Sequence, residues 1–202
     1  DNEMLITTTD FGTTNIETVN LVFARAADIA DASEINLVDV NSAHTTITFA
    51  GTADVTADVK DSATIITSTL AGNLALTIGA VNSTITHAAG DDSTAYGTGL
   101  TSNDTLNSGL GDDSMTATMA AGAAAPAITN TETAELNFAV AGSTWSHINV
   151  DDMTTIKTAA LSDEAVTLAN LDATVATVRI GSTAAGAAGD AASLTWKAGS
   201  DS

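Results

Sequence analysis

The chain has 202 residues, enough for one large or two small domains with a buried core, and its 44% hydrophobic content excludes a disordered tail. Twenty-five acids against five bases give a formal net charge of −20, which repels phosphate backbones and anionic headgroups and excludes nucleic acid as a partner. Cysteine is absent, which rules out thiol catalysis and thiolate metal sites, and no run has the length of a transmembrane helix, so membrane insertion is not expected.

The chain starts Asp1-Asn2-Glu3, without initiator Met or a basic-apolar leader, and is read as a processed piece or excised fragment of a longer protein. Aromatic residues are only 3%, so the core must be made of small and β-branched side chains, which suits thin repetitive layers of strands. In chain order, the Ala-rich stretch from Phe23 to Ala32 is read as a short helix or loop. Strands are then expected at Thr45–Phe49 and Leu74–Ile78, which alternate, and at Thr64–Thr67 and Thr84–Thr86, most of them with Gly, Asn, Asp or Ser nearby. A second Ala-rich stretch, Ala117 to Ala125, is again a short helix or loop. Val166–Leu168, Val175–Ile180 and Leu194–Trp196 complete the strands. This pattern predicts an all-β chain, a parallel β-solenoid or β-roll. An antiparallel Ig-like sandwich is the alternative, because alternation does not encode strand direction.

An internal repeat divides the chain. Asn15-Ile16-Glu17-Thr18-Val19-Asn20-Leu21-Val22-Phe23-Ala24 agrees at six of ten positions with Asn130-Thr131-Glu132-Thr133-Ala134-Glu135-Leu136-Asn137-Phe138-Ala139. Two similar modules are therefore expected, residues 1–98 and 99–202. The Leu-x-Phe pairs are expected in the core, and Glu17 and Glu132 in turns entering strands, although either Glu could also serve as a calcium ligand.

The richest chemistry lies between Gly90 and Met115. Ser108-Gly109-Leu110-Gly111-Asp112-Asp113-Ser114-Met115-Thr116 fits the calcium-binding nonapeptide G-G-x-G-x-D-x-U-x at all but its first glycine. Asp104 and Leu106 stand nine residues before Asp113 and Met115, and Gly90-Asp91-Asp92-Ser93 repeats the wording of Gly111-Asp112-Asp113-Ser114. Glycine allows tight turns and bares backbone carbonyls, and Asp supplies hard oxygens of the kind Ca²⁺ collects six to eight at a time. The candidate Ca²⁺ residues are Asp92, Asp104, Gly109, Gly111, Asp112 and Asp113. The competing reading is an ordinary Gly-Asp turn in which Asp caps backbone amides.

This order of elements resembles bacterial S-layer proteins and large RTX-type surface proteins. The resemblance runs from the degenerate nonapeptide at Asn103–Asp113, through the Ala/Gly/Thr segment Met115–Pro126, to Asn130-Thr131-Glu132-Thr133-Ala134-Glu135-Leu136 and Thr-rich strands. The tail Ala198-Gly199-Ser200-Asp201-Ser202 looks like another nonapeptide beginning. The resemblance implies a solenoid-like fold, secretion to the bacterial cell surface, Ca²⁺-dependent ordering, and assembly as a homo-oligomer, lattice or filament. The alternative is an adhesin module that binds cell-surface polysaccharide or a neighbouring cell.

No enzymatic activity is expected. No G-x-S-x-G elbow or phosphate loop occurs, and adjacent acids such as Asp151-Asp152 point to opposite faces of a strand. His44, His87 and His147 stand in no zinc-binding spacing and are expected to be exposed on strands. Trp145 and Trp196 are read as core plugs or interface anchors in preference to glycan platforms. A Thr-rich solenoid could bind ice, but the spacing of Thr along this sequence is too irregular to predict a flat array.

Overall fold

The computed structural model describes residues 18–23, 33–35, 46–59, 65–79, 82–158, 165–181 and 192–198. The Ala-rich stretch 24–32, Glu17, His44 and residues 199–202 of the tail motif lie outside them. Among the described residues every regular element is a strand. In chain order these are β1 Thr18–Phe23, β2 Ser33–Ile35, β3 Thr46–Gly51, β4 Val55–Val59, β5 Ile65–Leu70 and β6 Leu74–Ile78. There follow β7 Thr84–Thr86, β8 Ser93–Ala95, β9 Thr105–Asn107, β10 Ser114–Thr118, β11 Gly122–Ala124 and β12 Ala127–Thr129. The last six are β13 Thr133–Asn137, β14 Ser143–Ser146, β15 Thr155–Thr158, β16 Val166–Leu171, β17 Thr177–Arg179 and β18 Ala192–Trp196.

The strands form three parallel sheets stacked as a β-solenoid. Sheet 1 runs β1-β3-β5-β7-β9-β12, sheet 2 runs β2-β4-β6-β8-β10-β13-β15-β17, and sheet 3 runs β11-β14-β16-β18. Up to β10 the chain alternates between sheets 1 and 2. The coil then gains a third side: the Ala-rich segment, read from sequence as helix or loop, supplies the end of β10 and all of β11. Sheet 2 continues through residues 90–112 without interruption. The two copies of the internal repeat occupy different sheets, β1 in sheet 1 and β13 in sheet 2.

Alternation places every second side chain inside. Sheet 1 contributes Ile47, Phe49, Ile66, Ile85, Leu106 and Ile128; sheet 2 contributes Leu74, Leu76, Met115, Leu136 and Ile156; sheet 3 contributes Trp145 and Leu168. Each full burial of such a side chain is worth about 1.5–3 kcal/mol. Leu136 and Phe138 are both fully buried, as the repeat implied, and Trp145 is a core plug, whereas Trp196 is half-exposed. His87 and His147, expected on the surface, are buried. Each lies one residue past its strand and two past a buried side chain, Ile85 and Trp145, so the alternation that buries those side chains carries on to the histidines.

Candidate metal-binding edge

The corner leading into sheet 2 carries the Gly-Asp motifs. Register pairing stacks Asp54, Asn73, Asp91 and Asp112 in one column, and Asp92, Asp113 and Glu132 in the next. Asp92 and Asp113 are buried, whereas Asp91 and Asp112 face solvent.

Both columns are hydrogen-bond ladders, and they run in opposite directions. In the outer column each side chain accepts an amide from the following coil. Asn73 N–H donates to Asp54 Oδ1 at 2.9 Å, Asp91 N–H to Asn73 Oδ1 at 2.9 Å, and Asp112 N–H to Asp91 Oδ1 at 3.0 Å. In the inner column each accepts from the preceding coil. Leu74 N–H donates to Asp92 Oδ1, Asp92 N–H to Asp113 Oδ1 and Asp113 N–H to Glu132 Oε2, each at 2.6 Å. The acids thus satisfy corner amides that the strand ladders leave without partners, and bonds to a charged acceptor are stronger than neutral ones.

The glycines make this stacking possible. A Cβ on Gly109 would lie 2.2 Å from Ala88 O, and one on Gly111 would lie 2.1 Å from Gly90 O. Their φ angles, +91° and +146°, are also those that glycine alone adopts cheaply.

Asp104 stands apart, on the corner entering sheet 1. It accepts from Ser83 N–H at 2.7 Å, Ser83 Oγ at 3.1 Å, Thr101 N–H at 2.7 Å and Thr101 Oγ1 at 3.0 Å. Its nine-residue separation from Asp113 is about half of a coil, because successive sheet 1 strands repeat every 19 to 22 residues. Of the six candidate residues, Asp92, Asp112, Asp113, Gly109 and Gly111 therefore share one corner, and Asp104 occupies another.

The inner column is electrostatically loaded. Burial pushes the Asp113 carboxyl up to about 6; the Asp92 amide pulls it down, the like charges of Asp92 and Glu132 raise it, and His87 opposes them. Asp113 Oδ2 is buried without a hydrogen-bond partner. His87 Nδ1 lies 3.4 Å from Asp92 Oδ2, and its Nε2 is 2.9 Å from Thr94 Oγ1. His87, expected on the surface, stands five residues before Asp92 on the same coil, and the corner between β7 and β8 folds it back beside that carboxylate. His147, 3.7 Å from Asp172, is held below the usual histidine range by burial, against the pull of Asp172.

For a cation, the edge offers hard oxygens: the unpartnered Asp113 Oδ2 and the exposed carboxylates of Asp91 and Asp112. Among the described residues no three His, Asp or Glu side chains converge as a ready-made metal cage. Capping of backbone amides is what Asp92, Asp104 and Asp113 do here. Comparison with family models, with characterised proteins and with solved structures finds no match.

Proposed function

We propose that the chain is a non-enzymatic structural segment of a secreted or cell-surface bacterial protein, of the S-layer or RTX kind, that associates end to end with further copies. The observation that carries this reading is the parallel stack itself: the described strands add coil on coil, each laid in parallel register on the strand of the coil before it. A stack of this kind extends by repeating one contact, and the same contact made from copy to copy, head to tail, builds a filament or lattice.

At −20 the copies repel one another. Ca²⁺ relieves this repulsion by bridging the acidic edges of neighbouring copies through carboxylates such as Asp91 and Asp112, with Asp113 beneath them, and does not enter a preformed cage. The half-exposed Trp196 favours a second reading, an adhesin in which this side chain stacks on a glycan.

The test is a Ca²⁺ titration of the chain followed by circular dichroism and light scattering, with Mg²⁺ as control. Growth of particle size with Ca²⁺ alone supports ion-bridged assembly. No growth, with the β signal already present in chelator, removes Ca²⁺ from the reading and moves it to the metal-free adhesin.

A further inference from the structure

The outward face of sheet 1 differs from the rest of the surface. Two columns of side chains cross β3, β5, β7, β9 and β12 in unbroken register. The first holds Thr46, Ile65, Thr84, Thr105 and Ala127, and the second Thr48, Thr67, Thr86, Asn107 and Thr129. Seven of the ten are threonine, and every one is exposed or half-exposed. None is charged, in a chain with 25 acidic residues, and none is aromatic. The outward face of sheet 2, by contrast, carries Asp58, Glu135, Lys157 and Arg179.

Strand geometry makes this face a lattice. Neighbouring coils are about 4.8 Å apart, and alternate residues along a strand about 6.7 Å, so hydroxyls and methyls repeat in two dimensions. The columns are stiff: threonine is β-branched with few rotamers, and Thr48 Oγ1 and Thr67 Oγ1 are hydrogen-bonded at 3.1 Å. A rigid, uncharged, two-dimensional array of hydroxyls and methyls suits a ligand that is itself an uncharged periodic solid of hydrogen-bonding oxygens. A sugar polymer would instead call for aromatic platforms, and an ion for charge.

We propose that this face binds ice. The methyl groups hold off disordered water, and the hydroxyls fix water at repeats close to those of oxygens on faces of hexagonal ice, so that a growing crystal continues the array. Each hydroxyl contributes only about 0.5–1.5 kcal/mol net. The affinity comes from many such contacts presented in one preorganised register.

The full chain is tested by ice-crystal shaping and by the gap between melting and freezing points in a supercooled droplet. The expected result is faceted crystals and a measurable gap. Thr86→Tyr, which places a bulky group in the centre of the face, should abolish faceting; Thr105→Tyr on the next coil repeats the test at an independent position. Thr116→Tyr, outward on sheet 2, should leave faceting intact, and the circular dichroism of all three should match the parent. Round, unfaceted crystals with the parent chain overturn the proposal, as does equal loss in Thr116→Tyr. Retention on crystalline cellulose with no effect on ice reassigns the face to a polysaccharide and likewise overturns it.

Discussion

Replacing Gly111 with alanine tests whether coil stacking at the acidic corner depends on bare backbone. The new Cβ would stand 2.1 Å from Gly90 O, 2.7 Å from its carbonyl carbon and 3.1 Å from Asp91 Oδ1, at a φ of +146°. Backbone is what it meets, so no side chain can swing aside. The strained φ alone costs about 1–3 kcal/mol. Relief of the clash requires the two coils to separate by roughly an ångström, because non-bonded carbon and oxygen need more than 3 Å. That lengthens at least two neighbouring bonds, Asp112 N–H to Asp91 Oδ1 at 3.0 Å and Gly90 N–H to Leu110 O at 2.9 Å. At about 0.5–1.5 kcal/mol each, these bring the total to about 2–6 kcal/mol. This is a large share of the about 5–15 kcal/mol that holds a typical domain folded.

The control is Gly97→Ala, at φ +53° with no atom within 4 Å of the added carbon, which should cost only about 1–2 kcal/mol. Urea unfolding followed by circular dichroism, in chelator, should show the midpoint of Gly111→Ala well below that of Gly97→Ala with the slope unchanged. Equal midpoints would refute the close-stacking argument. A loss that appeared only with Ca²⁺ present would return Gly111 to a role in ion binding.

Asp104→Ala removes the acceptor of the buried Ser83 amide and hydroxyl and of the half-buried Thr101 amide, while the Thr101 hydroxyl keeps Asn82 Oδ1 at 2.8 Å. The substitution should destabilise by about 2–4 kcal/mol, measured by the same unfolding curves with or without Ca²⁺. The pH dependence follows from Asp113, whose carboxyl burial raises to about 6 from its ordinary 3.8. A raised acid binds its proton more tightly in the folded state, so this contribution to stability is complete below pH 3.8 and is lost as pH rises through about 6. Asp113→Asn retains an oxygen to accept the Asp92 amide and removes the titration. Its melting temperature should therefore fall less than that of the parent between pH 4 and pH 7. Parallel melting curves for the two proteins would show that Asp113 does not titrate in that window.

Much of the fold was legible along the chain. Alternation in segments such as Leu74–Ile78 and Thr84–Thr86, with Gly and Asp between them, fixed their strand character and which side chains face the core, because a strand has a period of two whatever it pairs with. The Gly-Asp motifs marked the acidic corner for the same local reason: tight turns need glycine, and their amides need acceptors. Strand direction was not legible, since parallel and antiparallel strands share one alternation, and the Ala-rich segment gave no sign of the third sheet that begins at Gly122.

The acidic ladders and the threonine lattice belong to the tertiary structure. Coils of 19, 21 and 22 residues leave Thr irregularly spaced in sequence, and the loops absorb the difference, so that Thr46, Thr84 and Thr105 fall in one column. In the same way only the stack sets Asp113 between Asp92 and Glu132. A sequence records which face of its own strand a residue occupies. Its neighbour on the next coil is decided by hydrogen-bond register, and that register is a property of the whole stack.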